Sequence, residues 1–141
     1  MLVRGPDAAT WGEATGEPGN DVAFFPGWHN SETFPGITEL NAKSQTDFGR
    51  PADVLVGPAY ACVQILASAV EKAGTLDRDA IRDAMAATKL DTVIGPVTFN
   101  GDGTGNVLNP LVQWQDGKMQ LIWPRDQKSA DFVYPAPEFG Q

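Results

Sequence analysis

The run Leu90-Asp91-Thr92-Val93-Ile94-Gly95-Pro96-Val97-Thr98-Phe99 decides how this chain is read. It is rich in β-branched and apolar residues and is broken once, at Gly95-Pro96. The pattern therefore predicts two short strands, Thr92-Val93-Ile94 and Pro96-Val97-Thr98-Phe99. Just upstream the period changes to that of a helix. Ala59, Cys62, Val63, Leu66, Ala69, Val70 and Ala73 recur at i, i+3, i+4, i+7 spacing, and Gly74 follows as a stop, so this face is expected to point into the core. A second helix is expected to open at Asp77 as N-cap, with Asp79 in its first turn, to turn Ile81, Ala84 and Met85 inward, and to end near Thr88.

Downstream the strand pattern continues. After a glycine-rich turn at 101–105 come Leu111-Val112-Gln113-Trp114 and a run from Met119 to Trp123. The Asp116-Gly117 pair between them is a strong hairpin signal. Toward the N-terminus, Asp21-Val22-Ala23-Phe24-Phe25 reads as a strand, and 31–51 as a polar surface segment with a helix exit at Phe48-Gly49-Arg50-Pro51. Met1-Leu2-Val3 reads as the end of a strand running into the turn Gly5-Pro6-Asp7, so Met1 is expected to be an internal start. Helices on an incomplete set of strands make this an α/β chain.

With 141 residues, 42% hydrophobic and 20% charged, one globular domain is within reach. The formal charge of −8 and the scattered basic residues oppose nucleic-acid binding, which needs clustered Lys and Arg to neutralise phosphates. No segment approaches the roughly 20 apolar residues of a membrane span, and the N-terminus lacks the pattern of an export signal. Cys62 is the lone cysteine and, in an apolar helical pattern, is expected to be a small buried hydrophobe.

Asn100-Gly101-Asp102-Gly103-Thr104-Gly105 opens like a calcium loop, but its twelfth position is Leu111 where a bidentate Glu is needed. The same glycines do not follow the phosphate-binding spacing, and strands rather than a helix come next. No cofactor or metal is expected. His29 has no nucleophile motif and no second histidine to work with, so a solvent-facing or hydrogen-bonded, non-catalytic role is favoured. Trp28 follows a strand at a Pro-Gly break, where it either joins the core or points into a ligand crevice. Asp7, just after a strand-like run, either caps a helix beginning at Ala8 or holds a ligand ammonium at the carboxyl end of the sheet.

The order of these elements resembles the C-terminal part of the leucine/isoleucine/valine-binding protein family, the type I periplasmic solute receptors of ABC transporters. The resemblance rests on Ala59-Tyr60-Ala61 opening a helix, the run from Leu90 to Phe99, Gln113-Trp114 before Asp116-Gly117, and the ending Tyr134-Pro135-Ala136-Pro137. It extends more weakly through Glu13-Ala14-Thr15-Gly16, Trp28 and Phe48-Gly49-Arg50-Pro51.

It implies a partial type I fold, with pieces of two Rossmann-like lobes joined by hinge crossings and the N-terminal lobe largely missing. Residues 1–27 and about 109–141 would belong to the second lobe, 36–108 to the first, and 28–35 to the hinge. It further implies a non-enzymatic protein of the periplasm or cell surface that closes on a branched-chain amino acid or related small amide or amine and presents it to an ABC permease. Asp7 falls where the family places an acid for the ligand's amino group, and Trp28 is the second candidate ligand contact. Two rival readings are a ligand-sensing regulatory receptor of the same fold, reporting to a protein partner, and a small doubly wound α/β enzyme, for which no nucleophile or metal set is present.

Overall fold

The computed structural model describes residues 5–136; the strand end expected at Met1-Leu2-Val3 and the closing Pro137 lie outside them. In chain order the elements are α1 (Trp11–Thr15), a single 3-10 turn (Glu17–Gly19), β1 (Ala23–Phe24), α2 (Ile37–Phe48), α3 (Val56–Ala73), α4 (Arg78–Ala86), β2 (Lys89–Thr92), β3 (Gly95–Phe99), β4 (Gly105–Asn106), β5 (Leu111–Gln115) and β6 (Lys118–Trp123). Among the described residues the strands form two antiparallel sheets of three, ordered β1-β5-β6 and β2-β3-β4.

Each sheet carries its own core. Phe24, Val112, Trp114 and Leu121 are buried together on the first, with Trp11, Val22 and Met119 packed against them. Trp28, Ile37, Ala52, Ala61 and Val93 form the second, flanked by Phe34, Leu40, Val56 and Ile94. The β5–β6 hairpin turns at Asp116-Gly117, both at positive φ, as a two-residue turn of that sequence requires. Gly12 of α1 lies so close to this turn that an added Cβ would stand 2.5 Å from the Gly117 carbonyl oxygen.

The decisive decapeptide folds differently from its expected register. Thr92 pairs with Gly95, so β2 is Lys89–Thr92 and Val93-Ile94 is the turn between β2 and β3. This turn is apolar because it is docked: Val93 has no exposed surface, and its carbonyl accepts the Trp28 indole N–H at 2.8 Å. A turn that packs into a core carries the composition of a strand.

The α3 face is a second correction. The buried residues are Gly57, Ala61, Ile65 and Ala69, an i, i+4 series of mostly small side chains, and of the expected inward set only Ala69 is fully buried. Cys62 is exposed, as are Val63 at 65% and Leu66 at 49%. The helix is apolar nearly all round, so periodicity alone cannot choose between its two stripes. The choice falls to the flat Trp28 ring, which only a glycine can admit: a Cβ at Gly57 would lie 2.2 Å from Trp28 Cδ2. At α4 the Asp77 carboxylate does accept from Ala80 N at 3.0 Å, and Ile81, Ala84 and Met85 are half-buried.

Candidate functional site

A cleft of about 420 Å³ lies where the two cores meet. Asp7, Ala9, Trp114, Lys118 and Met119 line it from the side of the β1-β5-β6 sheet; Asn30, Arg50, Ala52, Asp53 and Val54 line it from the other, with His29 between. The floor is apolar and the rim carries charges of both signs, the usual make-up of a pocket for a small polar-ended molecule. A second hollow, of about 690 Å³, runs between α4 and the turn at 100–103, and none of its lining residues belongs to either core.

Asp7 reaches the cleft because the segment before α1 is pinned from below. The indole N–H of Trp114 donates to the Pro6 carbonyl at 2.7 Å, and both residues are buried. Asp7 Oδ1 accepts from Gly5 N at 3.0 Å and the residue is half-buried. It is not a helix cap: α1 starts at Trp11, its N-cap is Thr10, and no side chain caps it.

On the opposite wall the loop after α2 is held by amides. Asn30 Nδ2 donates to the Ala52 carbonyl at 2.8 Å, Asn41 Nδ2 to the Asn30 carbonyl at 2.8 Å, and Ala52 N to Asn41 Oδ1 at 3.2 Å. These bonds present Ala52 and Val54 to the cleft, and they set Arg50 beside Asp53 at 3.6 Å.

His29 is buried, at 8% exposure, and burial holds its imidazole below the ordinary value, partly offset by the bond to the Met119 carbonyl. Glu32 is also buried, and its carboxyl is pushed above the usual carboxylate range by desolvation, although it accepts from His29 N at 2.9 Å.

Of the two ligand contacts expected from sequence, the structure brings Asp7 to the cleft and takes Trp28 away from it. Trp28 is wholly buried between Gly57 and Val93, so it shapes the wall from behind. Sequence reasoning missed Arg50, Asp53, Trp114, Lys118 and Met119 as cleft residues. The only local signal was that Arg50 follows a helix stop and Lys118 follows a hairpin turn, places where side chains gather at sheet and helix ends.

Comparison with known proteins follows the same lines. The periplasmic binding protein family model matches residues 5–118. Over 67 residues, 48% of this chain and 17% of the other, the sequence is 33% identical to the leucine-, isoleucine-, valine-, threonine-, and alanine-binding protein of Pseudomonas aeruginosa. The solved leucine binding protein LivK from Thermotoga maritima superposes with a TM-score of 0.75 at 20% identity, covering 85% of this chain and 36% of that one. A solute binding protein of an ABC transporter from R. palustris, in complex with benzoate, gives 0.68 at 18% identity, covering 86% and 33%. The chain thus spans about a third of the length of these structures. With the family pattern running through most of its residues and a partial α/β type I fold carrying them, this chain belongs to the periplasmic binding protein family.

Proposed function

We propose that this chain supplies both walls of the ligand cleft of a solute-binding component of an ABC transporter, with a branched-chain amino acid or a related small amide or amine as its ligand. In this reading 1–27 and about 109–141 belong to one lobe, 36–108 to the other, and 28–35 cross the hinge. The observation that carries it is the cleft between the two cores, with the Asp7 carboxylate at its rim and Trp114, Met119, Ala52 and Val54 as an apolar lining. A carboxylate suits a ligand ammonium, and an apolar lining suits an aliphatic side chain. Benzoate, bound by one relative, offers no cation to Asp7.

Binding needs no bond-making chemistry. Closure of the walls on the ligand removes it from water and produces the shape that a membrane permease reads. The proposed setting is the periplasm or cell surface. Among the described residues no helix is long and apolar enough to cross a membrane. Since the matched structures are about two and a half times as long as this chain, affinity is to be measured on a chain of the relatives' length that contains these residues, by calorimetric titration of L-leucine, L-valine and benzoate. Heat of binding with the amino acids and none with benzoate supports the reading; the reverse order overturns the ligand class, and no binding by any of them overturns the amino-acid assignment.

A further inference from the structure

We propose that His29 is a latch between the two cores, a neutral imidazole protonated on Nε2 that ties the 25–36 connection to β6 and sets how the walls of the cleft face each other. Trp28 and His29 are adjacent but anchor in opposite directions. Trp28 Nε1 donates to the Val93 carbonyl, in the core of the β2-β3-β4 sheet, while His29 Nε2 lies 3.3 Å from the Met119 carbonyl on β6 of the other sheet. Two adjacent side chains therefore bond one to each core.

The tautomer follows from the donors around the ring. The Ser31 backbone N–H donates to Nδ1 at 3.2 Å, and an amide N–H has only a proton to give, so Nδ1 carries none. The Ser31 hydroxyl, 2.7 Å from the same nitrogen, donates as well. The proton is left on Nε2, pointing at the Met119 oxygen. Glu32 closes the turn by accepting from His29 N.

Two further ties join the same regions, Gly27 N to Asn109 Oδ1 at 3.0 Å and Thr33 N to Gln127 Oε1 at 2.8 Å, but both are exposed and water can replace them. The His29 residue is buried and its bond to Met119 part-buried, so water replaces that bond less readily than the two exposed ties. The charged groups on the surrounding elements are Asp7 and Lys118 on one wall, Arg50 and Asp53 on the other, and Glu32 in the turn itself.

The 141-residue chain has a single histidine, which makes the test direct when it is labelled with ¹⁵N. No ligand takes part, so the outcome is independent of the transport reading. Long-range ¹⁵N–¹H correlation at neutral pH is expected to show protonated Nε2 and unprotonated Nδ1; the opposite tautomer overturns the latch. Residual dipolar couplings of the two sheets are expected to fit one alignment tensor in the wild type. In His29→Phe, which keeps the ring but loses the donor, they are expected to separate into two while amide shifts within each sheet stay unchanged. His29→Gln, whose amide can donate, is expected to restore the common tensor. A single tensor in His29→Phe, or failure of His29→Gln to restore it, reduces His29 to packing and overturns the proposal. If His29→Phe does not fold, the wild-type tautomer and the His29→Gln couplings still decide.

Discussion

Trp114 holds Pro6 by a buried hydrogen bond, indole N–H to carbonyl at 2.7 Å, across 108 positions of sequence. This contact places Asp7, the next residue, at the rim of the cleft. Trp114→Phe keeps most of the apolar volume but leaves a buried carbonyl without its donor, which costs about 1–3 kcal/mol. A urea titration is expected to show a lower midpoint at unchanged slope.

Asp7→Ala tests the cleft without touching the core. In a chain of the relatives' length, loss of a charge-assisted hydrogen bond to a ligand ammonium is expected to weaken amino-acid binding by about 1.5–3 kcal/mol, with little change in thermal midpoint. Calorimetry reads the first and scanning calorimetry the second; unchanged affinity removes Asp7 from the binding site.

Gly57 is where α3 admits Trp28. Gly57→Ala forces a Cβ to within 2.2 Å of the indole, so the helix or the ring must move. Although alanine favours the helix by about 1 kcal/mol, overpacking of this kind costs about 1–3 kcal/mol and more when neither side yields. Here the nearest atoms belong to a rigid, buried ring, so net destabilisation is expected, read as a fall in the urea midpoint.

Glu32 and His29 oppose each other in acid. The folded chain holds the imidazole below its ordinary value of about 6.5, so its contribution to stability is complete above that pH and is lost as the pH falls through the folded value. The Glu32 carboxyl is raised, so its contribution is complete in acid and is lost as the pH rises through its folded value. Glu32→Gln keeps an oxygen for His29 N and removes a desolvated charge; it is expected to raise stability at neutral pH, whereas Glu32→Ala is expected to lower it by about 1–3 kcal/mol. In the Glu32→Gln background, stability is expected to fall as the pH drops below about 6.5, and His29→Gln is expected to remove that fall. Urea midpoints across this range check both.

On α3, Val63→Glu and Leu66→Lys fall on the exposed stripe, so each is expected to change stability by no more than about 0.5 kcal/mol. Both are expected to reduce self-association of the isolated chain, seen by light scattering, because that stripe presents Tyr60, Val63 and Leu66 to water. Ala61→Leu, on the buried side, is expected to destabilise by about 1–3 kcal/mol.

The elements legible in the sequence are those whose signals are local. The Asp116-Gly117 turn needs two residues that tolerate positive φ, Asp77 caps α4 through a bond three residues long, and Gly74 ends α3 in the left-handed conformation; each is settled by a few neighbouring residues. The sequence also placed Asp7 in a turn that leads to the cleft. Direction, by contrast, came from long-range packing. An α3 that is apolar nearly all round turns Ala61 inward and Cys62 outward because Trp28 needs Gly57; Val93-Ile94 is a turn with the composition of a strand because it packs under that same ring. Trp28 left the cleft and Arg50, Lys118 and Met119 joined it because residues nearly 70 positions apart or more, each locally ambiguous, meet only once both cores have formed. Burial and long-range contact choose among faces that local periodicity leaves equivalent.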